Sequence, residues 1–238
     1  MVPFRSRMAL PTSPRLMRHL LLILSLYCGA FGARAADTNA VLEGWFTAQK
    51  GVHTWSADFI QTRHLKALTQ PLITPGRLRF AAPGDFRWEL GTPAQTIALR
   101  HEGEMYLIYP RLKRAEHYAL DATAPREWRE SMALLSAGFP RDQREFASQF
   151  HLLALTETNG AWRLKLQPRS DFARQWMPEL GITLATNDFV LLGTELVFVD
   201  GSSMSSVFTN AVMNPALDQK VFQWQAPADF KVTNPLAK

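Results

Sequence analysis

The sequence predicts a mainly β protein with a few helices (α+β), in which a strongly curved antiparallel sheet carries the helices on its concave side. Between Gly76 and Tyr109, four short runs alternate or are dense in large apolar residues, and proline or glycine separates each run from the next. This pattern is typical of an antiparallel β-meander. Helical spacing occurs in only two parts of the chain, so the sequence is not an alternating series of strands and helices.

Residues 1–35 are predicted to be a cleaved secretory signal peptide. Basic residues precede an apolar run over residues 20–31, and a small-x-small cleavage motif ends at Ala35. The apolar run is too short to span a bilayer as a permanent helix. We expect residues 36–238 to form a single domain, and either Met1 or Met17 can serve as the start of the signal.

Composition narrows the compartment and the partners. The one cysteine, Cys28, lies in the apolar run, so the mature chain has no disulfide and suits a bacterial periplasm. Five of the 26 lysines and arginines precede residue 36 and none of the 21 acidic residues does, which leaves 21 of each. The basic character of the whole chain therefore comes from the signal, and it gives no support for nucleic-acid binding.

The elements follow in order. Asp37, Thr38 and Asn39 can each cap a first helix. Val41, Leu42, Trp45 and Phe46 then recur at helical spacing before Gly51 ends it. A strand over 55–65 follows, and the proline-containing stretch 66–75 is predicted to be a long hairpin connection or a sheet edge. After the meander we predict further strands over 115–120, 151–156, 162–167, 180–185, 191–199, 203–213 and 221–224.

Two more helices are predicted in the middle of the chain. Trp128, Met132 and Leu135 fall at i, i+4 and i+7, with Leu134 beside them, and a third short helix is predicted over 141–150.

The second strand of the meander has two distinct faces. Phe86, Trp88 and Leu90 share one face, which is suited to an apolar interior. The alternating charged residues of that strand share the other face, which we expect to lie in water.

Spaced residues along most of the mature chain resemble the LolA-type periplasmic lipoprotein carriers. No single motif is diagnostic, and the resemblance rests on the whole set. In the N-terminal half the motifs are Phe59-x-Gln61, Gly76-x-Leu78-x-Phe80, Pro83-x-x-Phe86-x-Trp88 and Tyr109-Pro110. In the C-terminal half they are Asp200-Gly201, Phe208-x-Asn210, Asn214-x-x-Leu217-Asp218, Phe222-x-Trp224 and Pro227.

The resemblance implies an unclosed β-barrel with a helical lid over an apolar cavity. Members of that family accept the acyl chains of lipoproteins from an inner-membrane ABC-type release complex and carry them across the periplasm to an outer-membrane receptor. Such a carrier needs no cofactor and no catalytic group, and we expect a monomer. An acyl chain gains about 0.8 kcal/mol per buried methylene, so it does not cross water unaided at a useful rate.

The large apolar residues of the first strands are candidates to line the cavity. They are Phe59, Leu78, Phe80, Phe86, Trp88, Leu90, Ile97 and Leu99. The candidates for the inner face of the lid are Trp128, Met132, Leu134 and Leu135. A filled β core and a helix that closes it permanently produce the same patterns, so these alternatives stay open.

One position departs from the family pattern. The family usually has an arginine, thought to latch the lid, directly before the proline of Pro83-x-x-Phe86-x-Trp88, and this sequence has Ala82 there. The nearby Arg77 and Arg79 have the opposite strand parity and do not replace it. LolA-related proteins also occur in lipid and aryl-polyene pigment gene clusters, so a different lipid or acyl cargo is an alternative to lipoproteins.

The sequence contains no recognised catalytic motif. The histidines are scattered without the spacing of metal ligands, and no G-x-S-x-G elbow, P-loop or G-x-G-x-x-G occurs. We therefore predict that the protein is not an enzyme and binds no metal. A periplasmic sensor or an enzyme built on the same fold is the alternative from another functional class.

Overall fold

The computed structural model describes residues 37–120 and 137–235. Within them, twelve strands form one sheet. The strands are β1 (Thr54–His64), β2 (Leu72–Ala81), β3 (Asp85–Leu90), β4 (Thr96–His101), β5 (Glu104–Tyr109), β6 (Arg114–Ala119), β7 (Phe150–Thr158), β8 (Ala161–Pro168), β9 (Glu179–Ala185), β10 (Leu191–Val197), β11 (Ser203–Met213) and β12 (Lys231–Thr233). The described α-helices are α1 (Thr38–Lys50), α2 (Gln143–Gln149) and α3 (Asp171–Arg174).

The sheet is open and almost wholly antiparallel. Its strand order is β12-β6-β5-β4-β3-β2-β1-β11-β10-β9-β8-β7, so β12 and β7 form the two edges. The short β12 runs parallel to β6 and is the exception to the antiparallel pairing. The predicted unclosed, mainly antiparallel sheet is therefore confirmed.

One face of the sheet curls around a single apolar cluster, and we call this face, which carries Phe59 and Phe86, the inner face. Met105 and Tyr118, from strands near one edge, share the cluster with Leu164, from a strand near the other. Residues from strands near both edges, together with those of the strands between them, thus line one apolar interior. A single interior of this kind agrees with the predicted curved, unclosed sheet.

Helices α1 and α2 lie on the inner face, as predicted for the first and third helices. Asp37 caps α1 by accepting a hydrogen bond from the backbone N–H of Asn39 at 3.0 Å. The ring of Phe146 in α2 lies 5.6 Å from the rings of both Trp45 and Phe46 in α1. All three aromatic side chains are buried, so the two helices and the sheet share one interior.

The other face, the outer face, has a smaller apolar cluster of its own. Its buried members are Ala81, Ile97, Leu99, Ile108, Ala115 and Phe222. Phe222 is fully buried and lies in a 3-10 helix over Gln219–Phe222, where a strand was predicted. The carbonyl oxygen of Val221 accepts a hydrogen bond from Arg87. The C-terminal segment thus covers the part of the outer face that was expected to lie in water.

Two boundaries also differ from the predictions. The second strand begins at Leu72, so the last part of the stretch predicted as a connection is paired with β1. Pro75 is accommodated in that strand opposite Ile60. In the loop between β8 and β9, Ser170 caps the single-turn helix α3 by accepting a hydrogen bond from the N–H of Ala173. Hydrophobic periodicity does not determine where a strand begins or whether a loop contains a single helical turn.

Asn214 joins the end of β11 to the segment that connects α1 with β1. Its side-chain oxygen accepts hydrogen bonds from the backbone N–H groups of His53 at 2.8 Å and Thr54 at 3.2 Å. Its side-chain nitrogen donates to the carbonyl oxygen of Gly51 at 2.8 Å. The backbone of Asn214 is left-handed, with φ 54°, a conformation that asparagine tolerates better than most residues.

Replacing Asn214 by alanine is expected to lower the free energy of unfolding by about 2–3 kcal/mol, because three hydrogen bonds are lost in a left-handed backbone. Asn210→Ala is the matched control, since Asn210 has φ 53° and, among residues 37–120 and 137–235, one side-chain hydrogen bond, to Asp58. Urea unfolding of both variants measures the difference. Equal losses would mean that backbone strain, and not this junction, is responsible.

Candidate functional site

Strands β1 to β3 bring most of the predicted cavity residues together on the inner face. Cross-strand register places Phe80 opposite Phe86, and Leu78 opposite Trp88. Leu90 lies opposite Gly76, which in turn lies opposite Phe59 on β1. Partners in an antiparallel pair point to the same side, so these six apolar side chains form one surface.

Burial divides this surface in two. Phe59, Leu78, Phe80 and Phe86 are buried, whereas Trp88 and Leu90 are partly buried and lie against the same cluster. Other partly exposed apolar side chains continue the surface onto neighbouring strands. They are Ala98, Leu107 and Leu196. The inner face therefore has a filled part and a part where apolar side chains keep accessible surface.

Three aromatic rings define the boundary between these parts. The ring centroid of Trp88 lies 4.5 Å from that of Phe59 and 6.1 Å from that of Phe208. The ring of Phe59 also lies across β2 at Gly76, where a methyl group would be 2.2 Å from Cζ of Phe59. Glycine is needed here because no side chain fits between the ring and the strand.

Ile97 and Leu99, which were also predicted to line the cavity, lie on the outer face. Register places Ile97 opposite Glu89 and Leu99 opposite Arg87, both on the side of β3 that faces away from Trp88. The two residues join the cluster that contains Phe222. The prediction for them was wrong because the apolar residues of β4 pack against the C-terminal segment on the outer face. Ala98 and Arg100, which alternate with them, face inward instead.

The predicted lid residues Trp128, Met132, Leu134 and Leu135 lie outside the described residues. Their role stays a prediction.

Arg100 places a guanidinium among apolar side chains of the inner face. It lies opposite Phe86 on β3 and Met105 on β5, both of which are buried. Burial lowers the pKa of Arg100 below its ordinary value, and the charges of Asp85 and Glu145 oppose that shift.

The same guanidinium lies at the turn between β2 and β3. A methyl group at Gly84 would be 3.6 Å from Cζ of Arg100, whereas Ala82 is exposed. A positive charge therefore reaches this turn from β4. Only Arg77 and Arg79 were weighed as substitutes from the sequence, and Arg100 was missed. Arg100 could have been identified from the alternation along β4 only if it had been known which residues of that strand face inward.

On the outer face of β2 and β3, the charged residues form an ion-pair network. Glu89 accepts hydrogen bonds from Arg79 at 3.0 Å and Arg87 at 2.7 Å. Burial by itself would raise the pKa of Glu89, but the bonds from Arg87 and Arg79 outweigh it and hold the pKa below its ordinary value. The network is satisfied by ion pairs within β3 and between β2 and β3.

Within residues 37–120 and 137–235, no three His, Cys, Asp or Glu side chains are grouped so that they could hold a metal ion. In the same ranges, no helix is both long and apolar enough to cross a membrane.

A family model described as outer membrane lipoprotein carrier protein LolA matches residues 50–225. The chain belongs to the LolA family. The match covers β1 to β11, including Phe59, Trp88 and Phe208, and confirms the resemblance seen in the sequence. No curated protein shows significant similarity to this LolA-family chain.

Several solved structures are similar to this LolA-family chain at low sequence identity. A LolA superfamily protein from Nitrosomonas europaea is 9% identical, with 80% of this chain and 99% of that chain covered and a TM-score of 0.41. A chain of the Pseudomonas aeruginosa MucA/MucB complex is 17% identical, with 83% and 64% covered and a TM-score of 0.42. The Mycobacterium tuberculosis lipoprotein LppX is 10% identical, with 76% and 99% covered and a TM-score of 0.37.

Proposed function

We propose that this protein is a periplasmic carrier that binds the acyl chains of lipoproteins on its inner face and moves them from the inner to the outer membrane. One observation carries the proposal. In a LolA-family chain, the apolar surface around Trp88 and Leu90 keeps accessible area although it is continuous with the buried cluster. An apolar concave surface of this kind is what a hydrocarbon ligand requires.

The proposed cycle needs binding that is favourable and reversible, and it needs no bond making. Each buried methylene contributes about 0.8 kcal/mol, so contact between several methylenes and aromatic side chains holds an acyl chain against water. A partly filled surface limits how many methylenes are covered. The aromatic cluster formed by Phe59, Trp88 and Phe208 would set that limit, because it separates the filled and accessible parts of the inner face.

A carrier of this kind needs one partner that loads the lipoprotein and another that receives it. The proposal includes cleavage of residues 1–35 on export and a mature carrier domain over residues 36–238 that acts as a monomer. It also includes an inner-membrane ABC-type release complex that loads the cargo, and an outer-membrane receptor that accepts it. Acylated lipoproteins are the proposed cargo.

A second candidate is the same carrier chemistry with a different lipid or glycolipid as cargo. It is favoured by the exposed alanine at position 82, where the family usually has arginine, together with the inward guanidinium of Arg100 that reaches the same turn from another strand. A charge supplied from a different strand changes the surroundings of the bound head group.

A displacement experiment tests the function and separates the two candidates. The mature protein is loaded with a fluorescent fatty acid and titrated with a purified triacylated lipoprotein, with the non-acylated form of the same lipoprotein as control. We expect the acylated form alone to displace the probe, because only it carries hydrocarbon. Displacement by free phospholipid but not by lipoprotein would support the second candidate, and no binding of the fatty acid would reject both.

A further inference from the structure

We propose that Gln61 and Ser206 form a polar site on the inner face that donates hydrogen bonds to the carbonyl oxygens of ester- or amide-linked acyl chains. The inference rests on the proposed function and names the chemical class of ligand that the inner face prefers. A carrier with this site distinguishes an acyl chain that has a carbonyl at its linkage from plain or ether-linked hydrocarbon.

The position of Gln61 follows from the alternation of β1. Trp55, Ala57 and Phe59 point inward and are buried, and Gln61 is the next residue with the same parity. Its partner across the β1–β11 pair is Ser206. Phe208, the partner of Phe59, is the neighbouring inward-facing residue of β11. Gln61 and Ser206 each keep only 3% of their surface exposed, so an amide and a hydroxyl lie side by side within the apolar interior.

Neither side chain forms a hydrogen bond with the residues that the structure describes, and neither has a polar atom among the fully buried ones without a partner, so both keep a small accessible surface. The Gln61 amide carries two donor hydrogens and the Ser206 hydroxyl one. A polar side chain with so little access to water is ordinarily hydrogen-bonded within the fold, so these two donors are available to a ligand. The Gln61 amide and the Ser206 hydroxyl therefore offer neighbouring donors that a ligand's carbonyl oxygen can accept.

The surroundings fit an amphiphilic ligand. Thr74 on β2 lies opposite Gln61, and Thr194 on β10 lies opposite Ser206, so four neighbouring strands contribute one short polar row. On one side of this row the aromatic residues of β1 and β11 belong to the apolar cluster. On the other side the next inward residue of β1, Arg63, is exposed. A lipid aligned along β1 would place hydrocarbon, linkage and head group in that order.

A purely structural role predicts a different arrangement. A glutamine that supports the fold would bond to a backbone group or to a neighbouring side chain, as Asn214 does. Within the described part of the chain, the amide of Gln61 does neither. It adds nothing to the folded protein that leucine, a residue of similar size, would not supply. This difference makes the two roles separable by experiment.

The test compares two lipids that differ only in the linkage: a diacylglycerol and the dialkylglycerol diether of equal chain length. Each lipid competes with a fluorescent alkyl probe that has no carbonyl group. We expect the mature wild-type protein to bind the diester about threefold to tenfold more tightly, the range that one net hydrogen bond provides. Equal affinities for the two lipids would overturn the inference while leaving the proposed function intact.

Gln61→Leu and Ser206→Ala are expected to reduce this preference, with little change in the affinity for the diether. Ser205→Ala is the matched control, because Ser205 is adjacent in sequence but lies on the outer face opposite Thr62. Urea unfolding is measured in parallel, and we expect Gln61→Leu to be at least as stable as wild type. A Gln61→Leu protein that keeps the full preference, or that loses stability instead, would overturn the inference. Binding of neither lipid by wild type would overturn both this inference and the proposed function.

Discussion

Gly76→Ala is expected to lower the free energy of unfolding by about 3 kcal/mol, the upper end of the usual cost of overfilling a core. A methyl group at position 76 would lie 2.2 Å from Cζ of Phe59 and 2.4 Å from the carbonyl oxygen of Glu89. The Phe59 ring can move away from this methyl group only by pushing into the side chains of the inner-face cluster. The carbonyl oxygen belongs to the neighbouring strand and can move only if the β2–β3 pairing opens.

Gly51→Ala is the control for this substitution. Gly51 has φ −88°, and a methyl group there would meet its nearest atom at an ordinary 3.7 Å. Urea unfolding followed by tryptophan fluorescence gives both free energies. If Gly76→Ala is no less stable than Gly51→Ala, the close approach of Phe59 to β2 does not constrain the fold. The position of the Phe59 ring at the edge of the proposed site would then not depend on Gly76.

Trp88→Ala is expected to weaken binding of an acyl probe about thirtyfold, equivalent to about 2 kcal/mol, because the indole offers accessible apolar surface to a ligand. Phe86→Ala is expected to act in the opposite way, with a loss of about 3–5 kcal/mol in stability and a smaller effect on binding. The reason is burial: Phe86 is buried among other side chains, whereas Trp88 keeps part of its surface accessible.

The comparison needs both measurements on both variants. Probe affinity is determined by fluorescence titration under conditions in which each protein is folded, and stability by urea unfolding. If the ratio of affinity loss to stability loss is the same for Trp88→Ala as for Phe86→Ala, Trp88 is an ordinary core residue. The accessible apolar surface would then not be a binding site, and the proposed carrier function would lose its main support.

Local patterns were enough to predict much of the sheet. The alternation of Phe86, Trp88 and Leu90 identified the inward face of β3, because a strand with one apolar side has only one stable orientation. The candidate caps at residues 37–39 and the helical spacing of Val41, Trp45 and Phe46 identified α1 for the same kind of reason, and the structure shows Asp37 to be the cap. Each of these signals lies within a short stretch of sequence, so no knowledge of distant partners was required.

The faces of β4 were not predictable in this way. Ile97 and Leu99 are more apolar than Ala98 and Arg100, and an apolar alternation predicts that the apolar residues point inward. The structure reverses the direction because Phe222, far later in the sequence, covers the outer face. Once both faces of a strand are covered, hydrophobicity no longer identifies which one faces the main interior.

The polar features of the inner face depend on pairings between distant residues. Gln61 meets Ser206 through the β1–β11 pair, and Arg100 reaches Gly84 across β3. Nothing in the residues around Gln61 indicates whether its amide is bonded. That property depends on which side chains lie opposite it.

The amino-acid sequence by itself determined the meander, the first helix, the family and the apolar character of one face of β1 to β3, since these depend on the order of neighbouring residues. Only the tertiary structure decided which face of β4 is internal, where Arg100 lies, and that Gln61 and Ser206 are buried together without partners among the described residues. The physical reason is that burial and hydrogen bonding are properties of pairs of segments, and the C-terminal third of the chain supplies the second member of the pairs at β1 and β4.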